Sequence, residues 1–214
     1  MTDSYLILLK MKYFIGGVYE YVDLGLPSGL KWAKCNVGAE KETDYGDYFQ
    51  WGSTTPNTDT PCDWEHAPFN NGSSSYNETY FNSVKDDVCP NGILAKEYDA
   101  APQIMGGNWR MPTNADLQEM IGHTSVGWVE DFNGSGVNGW QFVSQADTSK
   151  YIFMPAAGYR SDSSNDQNIS VNIWTSSLNV SQPSEAQYLN ADFEDLYTFS
   201  DPRYRGHSVR GVFK

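Results

Sequence analysis

The sequence predicts an α+β fold: one domain rich in strands and loops, with about two short helices. Three observations predict it. Hydrophobic residues make up 39% and aromatics 14% of 214 residues, enough to close a core in one domain of this length. Glycine is frequent at 19 residues, Asn and Ser recur, and helix-forming runs are few, which leaves strands and long loops to carry the chain. In the C-terminal segment, Leu189, Ala191 and Phe193 alternate with Asn190, Asp192 and Glu194, the period of a half-buried strand.

Residues 1–20 read as an N-terminal extension of one or two strands, Tyr5–Leu9 and then Lys12–Tyr21 broken at Gly16-Gly17. Tyr5–Leu9 lacks a basic region before it and a small-residue cleavage site behind it, so it does not read as a secretory signal; a virion part or an unexported protein is favoured over a surface one. The domain proper is read as residues 21–214. Asp23–Trp32 is a turn-rich passage, punctuated by Pro27 and Ser28-Gly29. Lys41–Trp51 is expected to hold a short helix with Tyr45, Tyr48, Phe49 and Trp51 toward the core. Residues 53–92, with four prolines and the run Asn70-Asn71-Gly72-Ser73-Ser74-Ser75, read as an irregular insertion. Thr113 is a good N-cap with Asp116 placed to complete a capping box, and Leu117, Met120 and Ile121 form the apolar stripe of a helix that Gly122 ends. Strands are expected at Trp128–Phe132, Gly139–Ser144 and Tyr151–Pro155, with a hairpin turn near Asn138-Gly139.

A net charge of −13 argues against nucleic acid and against an anionic membrane surface as partners. No stretch approaches the roughly 18 apolar residues that span a bilayer, so no membrane insertion is expected. The odd count of cysteines (Cys35, Cys62, Cys89) is not a disulfide framework, and pairing of Cys62 with Cys89 is left open. Gly134-Ser135-Gly136-Val137-Asn138-Gly139 has the spacing of a dinucleotide loop, but the strand-like Trp140–Val143 follows it where a helix is needed, so it reads as a hairpin. Asp131, Asn133 and Ser135 stand at calcium-loop spacing with Phe142 where the bidentate Glu belongs, and the loop Asp162–Asp166 reads as a solvated turn. His66, His123 and His207 share no zinc spacing, and no Gly-x-Ser-x-Gly elbow occurs. Neither a metal nor a cofactor is expected.

The blocks Val22–Ala33, Cys35–Ala39, Asp44–Gly52, Gly107–Thr113, Phe153–Arg160, Trp174–Ser177 and Gly206–Arg210 run in order from about Tyr21 to the end. They resemble the bacterial "major paralogous domain" family of gut Bacteroidetes and their phages, similar in fold to C-type lectins and to formylglycine-generating enzymes. The resemblance implies a C-type lectin-like single domain. It also implies kinship with the variable proteins of diversity-generating retroelements, in which template Asn codons (AAY) are rewritten to most residues except Gln, Glu, Lys, Met and Trp. An undiversified member of the family remains the alternative. Trp-Thr-Ser-Ser stands where Trp-Ser-Ser-Thr is usual, and Gly211 where Pro is common.

Within the C-terminal region 160–210, from Asn172 to His207, the residues attainable from such codons include Asn172, Ile173, Asn179, Ser181, Ser184, Asn190, Asp192, Asp195, Tyr197, Thr198, Ser200, Asp201, Arg203, Tyr204, Arg205 and His207, while Gln182, Glu185, Gln187 and Glu194 are not attainable. They form the expected contact set. Tyr197, Arg203, Tyr204 and Arg205 are the expected anchors, since Tyr and Arg dominate binding hot spots and Tyr, Ser and Asn suit paratopes. Trp174, Leu189, Phe193, Val209 and Arg210 are the expected structural frame, with Arg110 and Arg210 held by backbone or carboxylates. The expected function is non-catalytic recognition of a protein or glycan on another cell or virion. A structural adhesin-tip module is the main rival. A formylglycine-generating enzyme would need reactive cysteines in the C-terminal half, and there is none after Cys89.

Overall fold

The computed structural model describes residues 19–161 and 164–214, the side chains of 164 and 165 excepted. The expected strand at Tyr5–Leu9, the start of the second at Lys12, and Asp162 and Ser163 of the 162–166 loop lie outside the described residues.

The fold is α+β, with several sheets and three helices among the described residues. Strand β1 (Tyr21–Asp23) pairs with β2 (Lys31–Ala33), and β2 pairs with the last strand, β13 (Val212–Phe213), so Trp32 faces Val22 on one side and Val212 on the other. A second sheet is the antiparallel meander β4 (Thr124–Val129), β5 (Gly139–Ser144) and β6 (Tyr151–Pro155). The largest sheet has seven strands. Its order is β11 (Leu196–Pro202), β10 (Glu185–Ala191), β9 (Val171–Leu178), β12 (Gly206–Ser208), β7 (Tyr159–Arg160) and β8 (Ser164–Asn165), with β3 (Tyr48–Gln50) also paired to β12.

All eight residues of β9 are buried, because the strand separates two cores. Val171 and Ile173 belong to the first, with Leu189 and Ala191 of β10, Phe142 and Ile152 of the meander, and Leu117 and Met120 of helix α3 (Asn114–His123). Trp174 and Leu178 belong to the second, with Phe49, Trp51, Tyr188, Val209 and two residues of helix α1 (Glu78–Val88), Phe81 and Val88. Helix α2 (Ala100–Met105) adds Ala100 and Ala101 to the second core. Its cap is Asp99, which accepts from the Ala101 and Met111 amides.

The capping box of α3 forms as the sequence predicts: Thr113 Oγ1 accepts from the Asp116 amide and Asp116 accepts from the Thr113 amide. Arg110 adds an ion pair to Asp116 at 2.7 Å. The helix runs through Gly122 to His123, one residue past its expected end, and passes directly into β4. The expected strand at Trp128–Phe132 shifts to Thr124–Val129, and Phe132 instead enters a one-turn 3₁₀ segment, where its ring stacks on Phe153 at 3.9 Å. The glycine-rich stretch is the β4–β5 connection; Gly139 opens β5 opposite Val129, so the link is a loop rather than a two-residue turn.

Two expectations fail. Lys41–Trp51 forms no helix: Tyr48–Gln50 is strand β3, fully buried against β12. Gly46 explains the break, since it sits at φ +75° with its Cα so close to Val37 O that a Cβ would clash at 2.5 Å. The stretch 53–92 is not irregular throughout, for it contains α1. Asn77 caps that helix by accepting from the Tyr80 amide, and Phe81 and Val88 are buried. Before it, the fully buried Asn70 organises the loop, donating to the carbonyls of Trp64, Ser73 and Ser75 and accepting from the Asn77 amide. Cys89, next to α1, is a free thiol, so no Cys62–Cys89 bridge forms.

Candidate functional site

The register of the large sheet decides which C-terminal side chains share a face. Asn172, Asn190 and Tyr197 form one cross-strand row, and Trp174, Tyr188 and Phe199 the next. Asp201, two residues beyond Phe199, points the same way. His207 joins this face through its stack on Trp174, with ring centroids 4.1 Å apart, and its contact with Tyr188 at 4.7 Å. Ile173, Leu189 and Thr198 form the row on the opposite face, toward α3.

This face is buried at β9 and β12 and opens at β10 and β11. Tyr197 is 47% exposed and Phe199 63%, their rings edge to face at 6.2 Å. Asn190 is half-buried and donates to Asn172 Oδ1 at 2.9 Å; Asn172 in turn donates to Ser170 Oγ. At the hairpin tip, Asp192 Oδ1 accepts from the Glu194 and Asp195 amides, a tight Asx turn that leaves Phe193 64% exposed. The Asp192 carbonyl accepts from Trp140 Nε1, which ties the tip to the meander. Toward the other end, half-buried Arg205 lies over the Tyr159 ring at 4.8 Å and faces Asp201 at 3.5 Å. Tyr204 packs edge to face on Trp64 at 5.1 Å.

Five expected contact residues are instead buried: Asn172, Ile173, Asp201, Arg203 and His207. Ile173 lies in the first core, and Asn172 is spent on its amide bonds. Asp201 is held at 2.9 Å by His207 Nε2, and burial pulls the His207 pKa below its ordinary value, so the ring is a neutral donor to that carboxylate. Arg203 is enclosed by aromatic rings: Phe81 at 3.9 Å, Tyr76 at 5.6 Å, and Trp51 and Trp64 each at 5.8 Å. Its Nε donates to Pro183 O and its Nη1 to Pro68 O. Burial lowers its pKa to about 10, so the cation persists at neutral pH and is stabilised by ring faces rather than a carboxylate. It fastens the 53–92 segment to the C-terminal segment.

Of the expected frame, Trp174, Leu189, Val209 and Arg210 are fully buried. Arg210 donates to Asn36 Oδ1 and to the carbonyls of Ala33, Lys34 and Phe153, the backbone anchoring expected of it. Phe193 is no part of the frame, because it lies past the end of β10 on an exposed turn.

The remaining expected contacts do not form one surface. Asn190, Asp192, Asp195 and Tyr197 lie on or around the open face and Arg205 stands beside Asp201 at its far end, while Tyr204 packs on Trp64. Thr198 points the other way and accepts from Gln118 of α3. Ser200 donates to Glu185 and accepts from Asn179. Asn179 also closes the β9–β10 turn through Ser181 and Gln182, with Ser184 in the same turn, a strand's length from the tip. Sequence reasoning put Phe193 in the frame rather than on the exposed turn, and did not single out Phe199, Tyr159 or Trp64 as contact residues. Phe199 had a signal, since it shares the parity of Tyr197.

Among the described residues no three His, Cys, Asp or Glu side chains gather as a metal site would require, and no helix is long and apolar enough to cross a membrane. Burial pushes the thiol of Cys89 up to about 11 and raises that of Cys35, which keeps both protonated at neutral pH. Compared with models of protein families, with curated proteins and with solved structures, the chain gives no match in any of the three.

Proposed function

We propose that this protein is a non-catalytic recognition module of C-type lectin-like architecture, which contacts a protein or glycan through the open face of its β10–β11 hairpin, in the manner of the diversified proteins its sequence resembles. The observation that carries this reading is the concentration of exposed aromatics: Phe193, Tyr197 and Phe199 lie on one hairpin beside Asn190, Asp192 and Asp195. Large aromatic rings with few rotatable bonds, set among short polar groups, supply contact area at low entropic cost, and an exposed apolar patch on an otherwise charged surface marks an interaction site. Pairing of the first described strand pair with the last strand, together with a meander and long ordered loops, supports the architecture.

The test is to probe labelled protein against glycan arrays and displayed bacterial surface proteins, comparing wild type with Tyr197→Ala/Phe199→Ala. Capture that is lost in the double variant, at an unchanged melting temperature, is the expected result. Capture that survives it would place recognition elsewhere.

A further inference from the structure

We infer that β11 is a docking edge, to which an extended segment of a protein partner adds as an antiparallel strand. This rests on the recognition reading above and specifies how the partner is held. β11 is the terminal strand of the large sheet, and all seven of its residues are in register with β10, from Leu196 opposite Ala191 to Pro202 opposite Glu185. On its other side no described residue pairs with it, so alternate backbone N–H and C=O groups face outward.

Natural sheets blunt such edges with lysine, proline, bulges or a covering element. From Leu196 to Ser200 this strand has no lysine, proline or bulge, and α3 meets its inner face at Thr198 rather than its outer edge, where no described residue pairs: the residues are Leu-Tyr-Thr-Phe-Ser, uncharged, with Pro202 only at the last position and the sheet's irregularity lying between β9 and β10. The exposed rings of Tyr197 and Phe199 stand beside this free backbone and would flank an added strand.

Charge selects the occupant. Asp192, Glu194 and Asp195 crowd the tip next to Leu196, and no ion pair among the described residues neutralises them. At the far end Arg205 balances Asp201. An antiparallel strand sets its C-terminal end beside Leu196, so the complementary partner alternates apolar and polar residues and ends in Lys or Arg. A second copy fits poorly: each chain carries −13, and a pairing centred on Thr198 would set Asp195 against Asp201.

The probe is an acetylated, amidated peptide alternating Thr and Val and ending in paired lysines, titrated into the full chain and followed by amide NMR. Expected are shifts confined to Leu196–Ser200 and its neighbours, and an affinity that falls with salt. Methylating the peptide nitrogens that would face β11 should weaken binding about tenfold or more. Absence of shifts at β11, or equal binding of the methylated peptide, overturns strand addition. So does dimerisation of the protein alone that Phe199→Lys abolishes, which would assign the edge to a second copy. If strand addition fails in these ways while Tyr197→Ala/Phe199→Ala still abolishes capture on the arrays, recognition by the face stands without it.

Discussion

Arg203 and Tyr197 show why the polar residues of the C-terminal segment cannot be sorted by type. In sequence, an arginine beside a tyrosine reads as a surface anchor. Its actual environment, the ring of Trp51 and the rings of Trp64, Tyr76 and Phe81 from the 53–92 segment, is distant in sequence and invisible locally. Truncating it leaves a cavity among four rings and forfeits the cation–π contacts, so Arg203→Ala should cost about 3 kcal/mol. A melting temperature lower by roughly 6–12 °C is expected in calorimetry, and Arg203→Lys should recover little, since an ammonium cannot stack its plane on Phe81. His207 gives a pH signature. Burial holds its pKa below the ordinary value, so the unfolded chain takes up a proton at about 6.5 that the folded protein refuses. Its contribution to stability is therefore complete above that pH and declines as pH falls toward the lowered folded value. Asp201 and Arg205 are the charged groups nearest it, and the rings of Trp174, Tyr188 and Tyr159 close the rest. Melting curves from pH 8 to pH 5 should fall more steeply for wild type than for His207→Gln; parallel curves would contradict a buried neutral ring.

Elements whose signals are local were legible. The capping box of α3 needs only Thr113, Asp116 and the apolar stripe that follows, and Thr113→Ala should cost about 1 kcal/mol in denaturant unfolding. β5 and β6 fall where alternation and β-formers place them. Helix α1 was missed although Phe81, Val84 and Val88 repeat at helical spacing and Asn77 offers a cap, because the Ser- and Asn-rich run before it dominated the reading. That run is ordered by one side chain. Asn70 makes four hydrogen bonds to backbone groups, and its replacement by alanine removes all four from a part-buried loop, a loss of about 2 kcal/mol or more. Faster proteolysis within 64–77 should accompany it; an unchanged cleavage rate would mean that the loop is held by other contacts. Strand β3 was mistaken for a helix because its aromatics fit either period; the backbone turns at Gly46, φ +75°, and the stretch pairs with β12 instead.

Across the whole molecule, one strand between two cores sets what the C-terminal segment can do. β9 is spent on packing. β10 presents one half-open side, and β11, at the rim, presents Tyr197 and Phe199 to solvent. Which residues of the segment are buried and which exposed was not legible in the sequence, since the order of strands in the sheet depends on pairings that no local pattern records. The central claim is that the rim is replaceable while the interior of the same segment is not. Saturation mutagenesis of residues 172–209, scored by the abundance of folded protein, tests this most directly. The expected profile is tolerance at Asn190, Asp192, Phe193, Asp195, Tyr197 and Phe199, with intolerance at Trp174, Leu189, Arg203, His207 and Val209. Intolerance at Tyr197 and Phe199, or free substitution at Arg203 and His207, would contradict it.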